Sequence, residues 1–168
     1  MIFTQHLSRT DRSRAGLPAG TLAVQDTLVL PFEQRQKARQ RARLTSGLEV
    51  GIQLPRGTVL RGGDCLRSPT GVVVEVIAAL EGVSTVRSPI VRELACAAYH
   101  IGNRHVALQV GDGWLRYSSD HVLDAMVEGF GLDVVHERQP FEPEAGAYSN
   151  GHGHAHYSAE HEQYGHEH

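Results

Sequence analysis

The hydrophobic pattern of this chain changes period once, and that change restricts the fold more than any other feature. Up to about Ile77 the apolar residues come in short alternating runs broken by glycine and proline. Leu48, Val50, Ile52 and Leu54 alternate, and Pro55-Arg56-Gly57 then turns the chain. Val59-Leu60 meets Gly62-Gly63-Asp64, a hairpin signal. Ser68-Pro69-Thr70-Gly71 turns again into the run Val72–Ile77. Met1–Leu7 reads as a first strand, Leu22–Val24 and Leu28–Leu30 as further strand runs, and polar Ser8–Gly20 as a loop. Many short strands with such turns predict a small all-β domain.

Beyond Leu80 a helical period appears between strands. Val83–Arg87 reads as a strand, and Ser88-Pro89 opens a helix with serine as cap and proline in the first turn. Ile90, Val91, Leu94, Ala98 and Ile101 recur at helical spacing and give one apolar face. Gly102 is placed to end that helix in a left-handed conformation. Val106, Leu108 and Val110 then alternate with His105, Ala107 and Gln109, as in a half-buried strand. His105 therefore falls at a helix–strand junction, where a rigid scaffold aims it outward. Gly111-Asp112-Gly113 is a tight turn into a strand at Trp114–Tyr117. Ser119 or Asp120 caps a second helix with Val122, Leu123, Met126, Val127 and Phe130 on its apolar face, ended by Gly129 or Gly131. Leu132–His136 is the last strand. The order β-α-β-β-α-β is the ferredoxin-like pattern. The predicted fold class is thus β plus α/β: an all-β docking domain over 1–78, a ferredoxin-like metal-binding domain over 79–145, and a tail over 146–168.

Glu33–Arg43 supports two readings. Its composition favours helix, whereas Arg39, Arg41 and Arg43 alternate with Gln40, Ala42 and Leu44 as in a solvent-facing strand. The basic run reads either as a solvated sheet face or as a docking surface for an acidic partner.

The tail is set apart by what it lacks. Gly146–His168 contains no lysine or arginine and no leucine, isoleucine or valine. Such a segment buries too little apolar surface to offset its ordering entropy, so disorder is expected. It carries His152, His154, His156, His161, His166 and His168, and histidine-rich tracts are a compositional signal for metal binding. Glycine, glutamate and tyrosine interrupt them, unlike the contiguous histidines of an expression tag. Neutral imidazole binds nickel, zinc, copper and cobalt.

His105 alone offers one ligand. Two copies across a dimer two-fold would offer a symmetric pair, because an isologous interface places each residue opposite its own copy. Other chemistry finds little support. The chain has no HExxH, no nucleophile elbow and no paired-carboxylate motif, so an enzyme is not expected. The formal net charge of −3 gives no sign of nucleic-acid binding. No apolar run approaches a membrane span and the N-terminus has no signal-peptide core, so a cytoplasmic location is expected. Cys65 and Cys96 form no CxxC pair and are expected as small buried hydrophobes.

Taken together, Cys96-Ala97-Ala98-Tyr99-His100-Ile101-Gly102-Asn103-Arg104-His105, Arg116-Tyr117-Ser118-Ser119-Asp120-His121 and Pro140-Phe141-Glu142-Pro143-Glu144 resemble the UreE family of urease accessory metallochaperones. Arg41–Gly47, Val50–Gly57 and Leu60–Asp64 agree, and the resemblance covers essentially the whole chain. It implies a homodimer that carries Ni(II) as cargo, with His105 as interfacial ligand and His121 as auxiliary ligand. It implies strand for the basic run at 33–43. As partners it implies the urease accessory GTPase and the urease apoprotein assembly complex. Some relatives carry a histidine two residues before His121, where this chain has Ser119, so no second auxiliary histidine is carried over. His100 reads as structural, and His6 and His136 as surface residues. An alternative reading is a nickel or zinc storage protein that acts mainly through its tail.

Overall fold

A computed structural model describes residues 1–9 and 23–145; the expected tail and most of the Ser8–Gly20 loop lie outside the described residues. The first half is a pair of sheets closed on one core. Strand β1 (Ile2–Phe3) runs parallel to β5 (Glu49–Gln53), which pairs antiparallel with β4 (Arg39–Arg43). The second sheet has the order β2 (Gln5–Leu7), β6 (Cys65–Arg67), β7 (Val73–Ala78), β3 (Asp26–Leu30). The predicted first strand is therefore two strands. The chain leaves one sheet after Phe3 and enters the other at Gln5, with Thr4 N–H donating to the Arg67 carbonyl at 3.2 Å. Alternation works as the sequence predicts on β5, where Val50 and Ile52 face in and Glu49 and Gln53 face out. Phe3, Leu28, Leu30, Leu60, Leu66 and Val74 complete the core.

The second half has the predicted topology. Strands β8 (Leu80–Arg87), β9 (Gln109–Gly111), β10 (Trp114–Ser118) and β11 (Val134–Pro140) form an antiparallel sheet of order β11-β8-β10-β9. Helix α2 (Val91–Gly102) bridges β8 and β9, and α3 (His121–Glu128) bridges β10 and β11. Ala97 and Ile101 of α2 join Leu123 and Val127 of α3 against Val86, Leu115 and Tyr117 of the sheet. Asp120 is the cap of α3, accepting from Val122 N–H at 2.8 Å and Leu123 N–H at 3.2 Å.

Several expectations are corrected. Glu33–Arg43 is not strand throughout: Phe32–Arg35 forms a single helical turn, α1. Pro31 cannot extend a ladder, and its carbonyl instead accepts from Gln34 and Arg35 N–H, both at 3.0 Å. Val59–Asp64 forms no hairpin; the hairpin lies at Ser68–Val72, where Ser68 N–H donates to the Val72 carbonyl at 2.9 Å. Helix α2 begins at Val91 with Ile90 as cap, and Ser88 Oγ accepts from Ile90 N–H at 3.0 Å. Ile90 and Val91 are 53% and 80% exposed, since the face that meets the sheet is Leu94, Ala97, Ala98 and Ile101. Cys65 is buried, but Cys96 is exposed because it sits one position off that face.

The two halves are tied by the segment that follows β11. Arg35, fully buried, donates from Nε to the Leu30 carbonyl at 3.1 Å and from Nη2 to the Phe141 carbonyl. It also pairs with Glu142 Oε1 at 2.8 Å. The same Glu142 oxygen accepts from Gly62 N–H at 2.7 Å, and Arg61 reaches Glu142 Oε2 at 3.2 Å and the Pro143 carbonyl at 2.7 Å. Phe141 meets Phe32 edge to face, with centroids 5.5 Å apart. On the other side, Glu142 N–H donates to Gln109 Oε1 at 3.0 Å and Glu144 N–H to the Leu108 carbonyl at 2.8 Å. Phe141–Glu144 is thus a strap clamped to both halves.

Candidate metal centre

The end of α2 decides how His105 is presented. Asn103 N–H still bonds four residues back, to the Tyr99 carbonyl at 3.0 Å. The next two amides bond only three back, Arg104 to Ile101 at 3.1 Å and His105 to Gly102 at 2.9 Å. The helix then stops at His105, whose φ is +56°. It is the residue in the left-handed region, and Gly102, expected there, is helical. Beyond the reversal, Val106 and Leu108 tuck against the core and Leu108 is held by the strap. Val110 faces solvent, so the predicted strand is only Gln109–Gly111. The turn leaves the His105 imidazole exposed. A non-glycine residue in this region stores strain, and such strain clusters at functional sites.

Five histidines lie among the described residues, and three have their rings engaged. His6 Nε2 and Asp64 Oδ2 are 2.7 Å apart, and His136 Nε2 and Asp124 Oδ2 are 2.9 Å apart. His100 lies against the Phe130 ring, with centroids 4.8 Å apart. His105 and His121 are exposed, with no side-chain hydrogen bond or ring contact among the described residues. His121 is the first residue of α3, directly after its Asp120 cap.

His105 borders a cleft of about 690 Å³ between the halves, lined also by Phe32, Val59, Arg61, Leu108, Glu144 and Ala145. His121 does not line this cleft, so one chain does not bring the two open histidines into one pocket. Among the described residues no three metal-ligating side chains converge. His152, His154, His156, His161, His166 and His168 lie outside the described residues, although Ala145, next to where their segment begins, lines the cleft with His105.

Reading the sequence missed the roles of His6 and His136. Asp64 accepts from His6 and from Arg9 and Arg61 N–H, both at 2.9 Å. Burial pushes its pKa up, but these bonds outweigh burial and hold it below the usual carboxylate range. Asp124 accepts from the Tyr117 hydroxyl at 2.9 Å and is also held low, since bonds from Ser84, His136 and Tyr117 outweigh its burial. Burial first, then the bond to Asp124, pushes the Tyr117 phenol up. These contacts span 58 and 12 residues along the chain, and no local pattern announces them.

No helix of the described residues is long and apolar enough to cross a membrane. Residues 8–79 match the family described as UreE urease accessory protein, N-terminal domain, and residues 81–168 match UreE urease accessory protein, C-terminal domain. The chain is similar to the urease accessory protein UreE of Alkalilimnicola ehrlichii, 55% identical over 142 residues, 84% of each chain. It is 53% identical to that of Pseudomonas putida strain GB-1 over 80% of this chain and 83% of the relative. To that of Citrobacter koseri it is 54% identical over 80% of this chain and 90% of the relative.

Proposed function

Since the chain belongs to the UreE family of urease accessory proteins, a non-catalytic family, we propose that it is a cytoplasmic homodimer that carries Ni(II) to the urease assembly machinery. The observation that carries this reading is His105: an open imidazole held out by a strained turn. One imidazole does not hold an ion tightly. Two copies of His105 facing across a two-fold supply a symmetric pair, and the tail histidines and His121 supply further ligands. The 1–78 half acts as the docking domain and the 79–145 half carries the metal. The accessory GTPase and the urease apoprotein complex are the recipients.

The chemistry suits a carrier. A structural zinc site uses four protein ligands and contributes about 10–16 kcal/mol, too much for easy handover. A pair of imidazoles completed by water or by tail residues exchanges ligands readily, so a recipient takes the ion by substitution. Imidazoles bind metal only when deprotonated, so protons compete with the ion and loading weakens in acid. Zinc, copper and cobalt bind the same donors, and nickel preference rests on geometry and supply.

Six histidines in 146–168 support a second reading, storage through the tail alone. Calorimetric Ni(II) titration with light scattering separates the two. The proteins are the full chain, a chain ending at Gly146, and that truncation with His105→Ala. The carrier reading expects the truncation to be a dimer that binds about one ion per two chains, by the pairing argument, and His105→Ala to abolish it. A truncation that binds no nickel leaves storage as the function.

A further inference from the structure

The outer strand of the three-stranded sheet carries an open edge of one charge, and this observation is independent of the metal site. Among the described residues strand β4 pairs with β5 alone. Its register sets Arg39 opposite Gln53, Arg41 opposite Gly51 and Arg43 opposite Glu49. The ladder is bonded at both ends by neighbouring pairs. Leu54 N–H donates to the Ala38 carbonyl at 2.8 Å and Leu44 N–H to the Leu48 carbonyl at 2.9 Å. Bonded and non-bonded pairs alternate in an antiparallel ladder. Gln40 and Ala42 therefore turn their backbone groups toward β5. Arg39, Arg41 and Arg43 turn theirs to the open side, where no strand of the described residues pairs with them.

The side chains follow the same period. Ala42 packs on the core, while Arg39, Arg41 and Arg43 are exposed on the outer face. Arg43 is paired with Glu49 at 2.8 Å. Arg39 and Arg41 face a glutamine and a glycine and have no carboxylate partner among the described residues. Their Cα atoms are about 6.7 Å apart, two strand residues. Beside them Ile2, half-exposed, packs over Gly51.

We propose that this edge binds an extended acidic segment of a partner protein, which adds as a strand beside β4 with carboxylates at alternate positions opposite Arg39 and Arg41. Backbone bonds to the outward groups give affinity, and the two-residue period gives selectivity. Charge selects the occupant. A second copy of β4 would set arginine against arginine, so the edge repels its own kind and admits an acidic strand.

The test uses the full chain and synthetic 12-residue peptides, with binding read by calorimetry at two salt concentrations. The first peptide has glutamate at alternate positions with threonine and valine between. The second has the same composition with its glutamates contiguous. The third is the first with alternate backbone amides methylated. The expected result is salt-sensitive binding of the first peptide only, weakened about tenfold by the double substitution Arg39→Gln and Arg41→Gln. An unchanged thermal midpoint shows that the variant is folded. Equal binding of the contiguous peptide, or no effect of the double substitution, overturns the proposal. So does binding seen only after removal of 146–168, because the chain's own Glu160 and Glu162 would then be the occupant.

Discussion

Replacing His105 by glycine separates the backbone cost of this turn from the use of its imidazole. The residue stands at φ +56°. An L-residue in the left-handed conformation costs about 1–2 kcal/mol, and histidine sits at the lower end because it visits that region more than most residues do. Glycine adopts the same φ without that cost but loses about 0.5–1 kcal/mol more in chain entropy on folding. The imidazole is exposed and unbonded among the described residues, so its removal forfeits little packing, and the 2.9 Å bond from His105 N–H to Gly102 survives substitution by glycine or alanine. The balance predicts that metal-free His105→Gly is at least as stable as the unsubstituted chain, by up to about 0.5 kcal/mol, or up to roughly 2 °C in Tm, and clearly more stable than His105→Ala. His105→Ala keeps the strain and gains nothing. Both variants lose the proposed nickel site. The assay is scanning calorimetry of all three proteins with EDTA, tail intact, at neutral pH. If the alanine variant melts at or above the glycine variant, the turn carries no strain and the argument fails.

Three further outcomes follow from the contacts. Arg35→Ala takes the buried guanidinium from the Phe141 carbonyl and leaves Glu142 Oε1 with Gly62 N–H alone, and with the cavity it opens urea unfolding should register a loss of about 2–5 kcal/mol. Asp64 and Asp124 both have depressed pKa values in the folded chain. A depressed carboxylate stabilises above its unfolded value, about 3.9, and that stability is lost as pH falls through the folded value. Acid-unfolding curves of Asp64→Asn and Asp124→Asn should therefore be flatter in the region below that value than the curve of the unsubstituted chain. Gly111 lies opposite Trp114, and a Cβ there would stand 2.1–2.4 Å from the indole. Gly111→Ala should displace the ring from beside Arg116, red-shift the emission of this single tryptophan and cost about 1–3 kcal/mol.

What was legible in the sequence was whatever depends on period. Val50 and Ile52 on one strand face, and the order of two helices among four strands, follow from alternation and helical spacing alone. Local signals failed where two rules competed. In the basic run helix propensity held only for the turn that Pro31 starts at Phe32 and the strand pattern held from Arg39, and the left-handed residue proved to be a histidine rather than the nearby glycine. Helix spacing alone did not separate Val91 from Leu94, because only the position of the sheet decides which side of the stripe is covered. Of the candidate site, the sequence singled out His105 and His121 and aimed His105 outward, but did not show that these two, alone among the five described histidines, have free rings. That property is defined by contrast with His6, His100 and His136, whose partners come from folding.

The buried guanidinium of Arg35 has a consequence for how this chain may be divided. Its charge arises in the first half, whereas the carboxylate and carbonyl that neutralise it come from Glu142 and Phe141, 107 and 106 residues away. A fragment cut near Ala79, where the two matched regions meet, would carry an uncompensated cation in its interior. The halves are therefore not interchangeable parts. They should unfold in one cooperative transition, and a graft of either half onto another protein should fail unless the strap is grafted with it.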